Sequence, residues 1–306
     1  MARRLQGVLP IVHTPFLDDD SIDAASLRRE IDFAFDTGAD GLGTGMVSEI
    51  LRLTSEERID LTEQIVELAA GRGAVFAAVG AESIQQALIY AQAAERAGCD
   101  AMMAVPPVTT RLPEPALVDY FRALAEGVSL TLIVQDASGY VGQAIPLSVY
   151  VQLLERYGEE KIVFKPEAAP IGPNLSALRD ATGGKARIFE GSGGILLVDS
   201  YRRGIAGTMP GMEMLAAIVA LWRALQRGDD HAIYRLYYPI CAIVALQMQA
   251  GLDGFLAIEK HLLVRQGLFS TARRRRPNSW ELDGETATEV ERLMTQLDRV
   301  VAEART

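Results

Sequence analysis

The chain has 306 residues, 49% of them hydrophobic and 23% charged, with a formal net charge of −10. That balance describes a globular chain with a sizeable core, and the acidic surplus argues against a surface that binds polyanions such as nucleic acid. No apolar run approaches the ~20 residues needed to span a bilayer. The first residues lack the apolar stretch of a signal peptide, and a cytoplasmic location is expected. Two cysteines, Cys99 and Cys241, stand in no metal or redox motif and read as free thiols.

Taken in order, the chain alternates short apolar runs with longer amphipathic ones. Residues 7–12 predict a strand, followed by His13-Thr14-Pro15-Phe16 and a polar turn; a helix starts near Ser21 or Asp23 and stops at Gly38. A brief strand at 41–44 enters the loop Gly45-Met46-Val47-Ser48-Glu49, and Thr54-Ser55-Glu56-Glu57 is a capping box that opens the next helix. Strands at 74–79, 101–105 and 130–134 each precede a helix, at residues 83–98, 113–127 and 146–158. The run 161–165 is the sixth strand, with a helix at 173–182; strands at 187–189 and 205–209 are followed by helices at 193–203 and 211–227.

Eight strand–helix units with short connections predict a parallel sheet closed into a (β/α)8 TIM barrel. An open doubly wound sheet is disfavoured because no dinucleotide-type glycine motif follows the first strand. After residue 228 the pattern is purely helical, at 231–250, 252–268 and 285–303. The expected division is a barrel over 1–228 and a helical C-terminal extension over 229–306.

In such a barrel, chemistry collects at the C-terminal ends of the strands. Those ends carry His13, the loop 45–49, Gln135, Lys165 with Glu167, and Gly191 to Gly194. The stretch Lys161-Ile162-Val163-Phe164-Lys165-Pro166-Glu167 is the most informative: an apolar strand ends on a lysine, and a side-chain period of two turns Glu167 to the same side. An amine in an apolar pocket suits imine formation with a carbonyl compound. A solvated Lys-Glu pair is the plainer alternative. The three histidines, His13, His231 and His261, are scattered; no metal-ligand spacing, serine triad or phosphate loop occurs, and neither metal nor cofactor is expected. His13 reads equally as a proton donor or as a hydrogen-bonded structural residue. Gly191-Ser192-Gly193-Gly194 is expected to start a helix and bind a polar part of a ligand through its N–H groups. The basic run Arg273 to Arg276 reads as a solvated loop.

On Thr14-Pro15-Phe16, the loop ending at Glu49, Lys165 and the helical extension, the chain resembles the dihydrodipicolinate synthase/N-acetylneuraminate lyase superfamily of Schiff-base aldolases and dehydratases. The resemblance implies that Lys165 forms an imine with the C2 carbonyl of a 2-oxo acid. It also implies that Gly45, Met46, Val47 and Ser48 hold the substrate carboxylate, and that the protein is a homotetramer or homodimer. The departures are informative. Met46 and Val47 replace two threonines, Gln135 stands where the strand-five tyrosine usually relays protons, and Tyr140 lies near the arginine of the synthases. Dihydrodipicolinate synthesis is therefore not expected. Lys-Pro-Glu, with its carboxylate two residues after the lysine, resembles the branch that dehydrates 2-keto-3-deoxy sugar acids, with Glu167 as base. A pyruvate-releasing aldolase and a non-catalytic 2-oxo acid binder are the alternatives.

Overall fold

The computed structural model describes residues 3–304. Eight parallel strands, β1 (Gly7–Val8), β2 (Gly41–Gly43), β3 (Ala74–Ala78), β4 (Ala101–Ala104), β5 (Thr131–Asp136), β6 (Ile162–Pro166), β7 (Phe189–Glu190) and β8 (Gly207–Thr208), form two arcs ordered β2-β3-β4-β5-β6 and β7-β8-β1. Parallel bridges between Ile11 and Gly43, and between Phe164 and Ile188, join the arcs into a closed barrel. Closure removes the edges that an open sheet would expose.

Alternation along each strand sorts the core into two layers. Leu9, Phe76, Met103, Ile133, Val163 and Phe189 point inward and fill the barrel. Ile162 and Phe164 point outward against the helices, where the Phe164 ring meets Tyr150 edge-on at 5.3 Å. Because Val163 faces inward, Lys165 must do so one layer higher, at the mouth.

Eight helices wrap the barrel: α1 (Ala24–Thr37), α2 (Ser55–Ala69), α3 (Ile84–Ala97), α4 (Glu114–Gly127), α5 (Leu147–Tyr157), α6 (Ile171–Ala181), α7 (Leu197–Arg202) and α8 (Leu215–Arg227). Their starts follow the expected chemistry. Asp23 caps α1 through the N–H groups of Ala25 and Ser26, and Thr54 and Glu57 form a reciprocal capping box on α2. Helix α7 differs: it begins at Leu197, not at residue 193. Gly193 (φ 70°) and Gly194 (φ 105°) both adopt left-handed backbone, which no α-helix contains, so the glycine run is a turn that precedes the helix.

Three further helices, α9 (Asp230–Gln247), α10 (Gly251–Arg265) and α11 (Gly284–Ala304), complete the chain. On length and composition the stretch Asp230–Arg265 is apolar enough to cross a membrane. It is two helices rather than one, interrupted at Met248–Ala250, and Ile233, Leu236, Ile240, Ile243, Val244, Ile258 and Leu262 are spent in the protein core. The basic run is not the solvated loop its composition suggests. Arg274 is buried beside Asp253 and Glu281, and Arg275 pairs with Glu57 at 2.7 Å while stacking on Phe16. Acidic partners thus absorb Arg273, Arg274 and Arg275, with Asp20 and Glu57 more than 200 positions away in sequence.

Thr54→Ala removes one half of the α2 capping box. The expected loss is about 1 kcal/mol, read as a lower urea midpoint with unchanged slope.

Candidate active site

At the barrel mouth the register of β5 against β6 sets Gln135 beside Lys165. Glu167 follows two residues on, its N–H bonded to Asp136 O at 2.9 Å, so its side chain turns to the same interior as Lys165. Lys165 Nζ lies 3.3 Å from Glu167 Oε2, and Gln135 Nε2 donates to that same oxygen at 2.7 Å. All three residues are buried. Burial pushes the Glu167 carboxyl above its usual range, a shift that the Lys165 charge and the Gln135 hydrogen bond oppose. Gly191, at the end of β7, is what leaves room for the pair. A Cβ there would lie 2.4 Å from Lys165 Cε and 2.5 Å from Glu167 Oε1.

Tyr140 is a site neighbour that the linear pattern did not mark. Asp136 Oδ1 and Oδ2 accept from the N–H groups of Ser138 and Ile145, folding the loop after β5 back over the mouth. The Tyr140 hydroxyl thereby comes to 3.5 Å from both Glu167 oxygens and 3.4 Å from Gln135 Nε2. The residue is 38% exposed, yet burial of the hydroxyl end and the Glu167 charge push its phenol well above the ordinary value. The advance signals were its place near the position of the synthase arginine and an aromatic ring within a few residues of a strand end.

The loop 45–49 divides its work. Met46, Val47 and Ser48 form one 3-10 turn, and Met46 and Val47 line the cleft. As first-turn amides, their N–H groups have no intrahelical acceptor, and among the described residues they donate to no other protein group. Ser48 does not sit where the resemblance implies. Its hydroxyl donates to Val12 O and accepts from Gly45 N–H at 3.0 Å, and the residue is fully buried. It ties the loop to the segment that follows β1 and is absent from the cleft wall, as is Gly45. Glu49 is held in left-handed backbone (φ 59°), its carboxylate bonded to Lys260 Nζ and to Arg275 N–H. Lys260 also donates to Thr14 O at 2.7 Å and Arg273 O at 2.8 Å.

Ser192 is likewise directed inward. Its N–H goes to Glu190 Oε1 at 2.5 Å and its hydroxyl accepts from Leu196 N–H, so Gly191 and Gly193, not Ser192, reach the cleft.

His13 is fully buried between two carboxylates. Nε2 is 2.7 Å from Glu259 Oε2 on α10 and Nδ1 is 3.2 Å from Glu30 Oε1 on α1. Burial alone would lower its pKa; the charges and hydrogen bonds of Glu259 and Glu30 outweigh that and raise it to about 10. Glu213 stands nearby, its carboxyl pushed up to about 7 by burial and by the Glu259 charge. Ligand-capable atoms of His13, Glu213 and Glu259 lie within 4.8 Å of one another, which is the one group among the described residues able to hold a metal ion. Its members are separated by some 250 positions, so no spacing rule could reveal it.

The cleft that results encloses about 490 Å³ open to solvent. Lys165, Glu167, Tyr140, Met46, Val47 and Gly191 line its barrel side, and α10 adds Leu252, Phe255 and Glu259. An amine, a carboxylate and a phenol share one end of it. Such a set can form an imine and move protons beside it.

A closed (β/α)8 barrel with a buried lysine in its mouth defines the class of Schiff-base lyases. The dihydrodipicolinate synthetase family matches residues 4–297, and the chain belongs to that family. It is 29% identical to the L-2-keto-3-deoxyarabonate dehydratase of Azospirillum brasilense over 97% of this chain and 96% of that protein. It is also 28% identical to the 4-hydroxy-tetrahydrodipicolinate synthase of Chloroherpeton thalassium, over 61% of this chain and 58% of that one. The fold superposes on the dihydrodipicolinate synthase of Rhodopseudomonas palustris with TM-score 0.85 at 24% identity, covering 96% and 98% of the two chains. A prophage protein of the same family from E. coli K12, in complex with pyruvate, gives 0.86 at 21%, again over 96% and 98%.

Two outcomes follow from the geometry. Gly191→Ala places a methyl group against Lys165 and Glu167, and loss of activity is expected with far-UV circular dichroism unchanged. The second concerns pH. His13 has a folded-state pKa near 10, above the 6.5 of an exposed imidazole, so its stabilising contribution is complete below pH 6.5 and disappears as pH rises through 10. The melting temperature should decline across that window, and His13→Asn should flatten the decline.

Proposed function

We propose that the protein is a hydro-lyase that dehydrates a 2-keto-3-deoxy sugar acid through an imine on Lys165. The observation that carries this reading is the buried Lys165–Glu167 pair at 3.3 Å, with Gly191 shaped around it. Similarity to the Azospirillum dehydratase along nearly the whole length supports the same choice.

In this reading the Met46 and Val47 N–H groups take the substrate carboxylate, the role their missing side-chain hydroxyls leave to the backbone. Lys165 Nζ attacks the C2 carbonyl; its oxygen departs as water and a protonated imine remains. The imine withdraws electrons from C3 and acidifies its protons. Glu167, whose pKa is raised by burial, removes one of them. The resulting enamine expels the C4 hydroxyl as a second water, protonated as it leaves; the Tyr140 phenol is the nearest neutral acid to Glu167. Hydrolysis of the remaining imine returns one water and frees Lys165. The net change is loss of one water with the carbon chain intact.

The Tyr140 hydroxyl also favours a second reading. A retro-aldol step needs a base for the C4 hydroxyl, and this phenol occupies the neighbourhood that Gln135, Met46 and Val47 leave without one. Product analysis separates the two: dehydration keeps all carbons together, whereas cleavage releases pyruvate.

Lys165→Ala should abolish both turnover and the adduct trapped by borohydride. Glu167→Gln should still give the adduct but lose ~10²–10⁴-fold in turnover, the usual share of a general base. Near-normal turnover of Glu167→Gln, or pyruvate as product, would replace the dehydratase reading with the aldolase one.

A further inference from the structure

The cleft has a second wall whose chemistry the imine does not use. Glu259 projects into it from α10, 3% exposed, with Oε2 held by His13 Nε2 at 2.7 Å. Its other oxygen, Oε1, accepts no hydrogen bond among the described residues. It is also not among the sealed, unpartnered atoms, which include Glu30 Oε2 and Glu213 Oε2. A nearly buried carboxylate oxygen therefore faces the cleft without a partner. Gly211 keeps the approach open: a Cβ there would lie 2.3 Å from Glu213 Oε2 and 3.0 Å from Glu259 Oε1.

The arrangement behind Glu259 is built to hold it still. Glu30 on α1 bonds His13 through both its ring and its backbone N–H, at 3.2 and 2.9 Å, fixing the imidazole that grips Oε2. Glu213 is oriented by Gln247 Nε2 at 2.9 Å, and Lys260, adjacent to Glu259 on α10, is committed to Glu49. No cation among the described residues reaches the free oxygen. A substrate hydroxyl can donate to it, and hydrogen bonds to a charged acceptor are the strong ones. A substrate carboxylate would meet a second carboxylate with no basic partner beside it.

We propose that Glu259 is the specificity residue for the substrate's tail: it accepts hydrogen bonds from distal hydroxyls, selecting 2-keto-3-deoxy monoacids with a neutral polyol end over diacids carboxylated at both ends. His13 and Glu30 are positioning residues for it. This rests on the imine reading of Lys165, which fixes the other end of the substrate.

The experiment compares three compounds on the full-length protein. They are a five- or six-carbon 2-keto-3-deoxy aldonate, the corresponding aldarate with a second carboxylate, and pyruvate, which has no tail. Wild type should favour the aldonate over the aldarate by at least tenfold in kcat/KM. Glu259→Gln should raise KM for the aldonate ~10–100-fold, the scale of one charge-assisted hydrogen bond. The same variant should shift half-saturation for borohydride trapping of pyruvate by far less, and narrow the aldonate-to-aldarate ratio. Equal use of both acids by wild type overturns the inference, and that comparison stands even where the variant does not fold. Equal effects of Glu259→Gln on aldonate and pyruvate overturn it too. Absence of any pyruvate adduct on wild-type Lys165 would instead sink the imine reading, and the tail assignment with it.

Discussion

A charge taken out of water must find a partner, and at this barrel mouth that requirement organises nearly everything else. Lys165 meets Glu167, Lys260 meets Glu49, His13 lies between Glu30 and Glu259, and Arg274 sits beside Asp253. Pairs of this kind contribute little net stability, because desolvation offsets most of the attraction. Breaking one is costly, so they hold geometry firmly. Two of the four, Lys260 with Glu49 and Glu259 with His13, tie α10 to the barrel across more than 200 positions of chain.

That tethering explains why the C-terminal helices belong to the cleft rather than standing beside it. Lys260 reaches the carbonyl of Thr14 and the carboxylate of Glu49, so the loop carrying Met46 and Val47 is clamped from α10. The same helix offers Glu259, the residue beside Lys260, and Leu252 and Phe255 one to two turns earlier to the cleft. One anchored helix thus supports the amides at one end of the site and supplies the carboxylate at the other.

The barrel was readable because its signals are local and repeated. Helix starts at Asp23, Thr54 and Ser83 and stops at Gly38 and Gly98 are capping chemistry, decided within a few residues. The glycine run 191–194 misled for a related reason. Glycine followed by apolar residues fits a helix start, but two successive left-handed residues cannot enter one. Ser48 and Ser192 misled differently. A hydroxyl in a site loop can face ligand or backbone, and only the positions of Val12 O and Leu196 N–H select the backbone.

What the sequence determined by itself was the closed parallel barrel and the facing of Lys165 and Glu167. The first follows from eight repeats of one pattern and the second from the two-residue period of a strand. What only the tertiary structure decided was which groups share that mouth. Tyr140 arrives because Asp136 folds its loop inward. Glu259 and Glu213 arrive because α10 and the segment before α8 pack beside His13, across 246 and 200 positions of chain. Periodicity specifies the direction in which a side chain points from its own backbone. It carries no information about the distance between backbones brought together by burial, and proton-transfer and recognition sites depend on that distance.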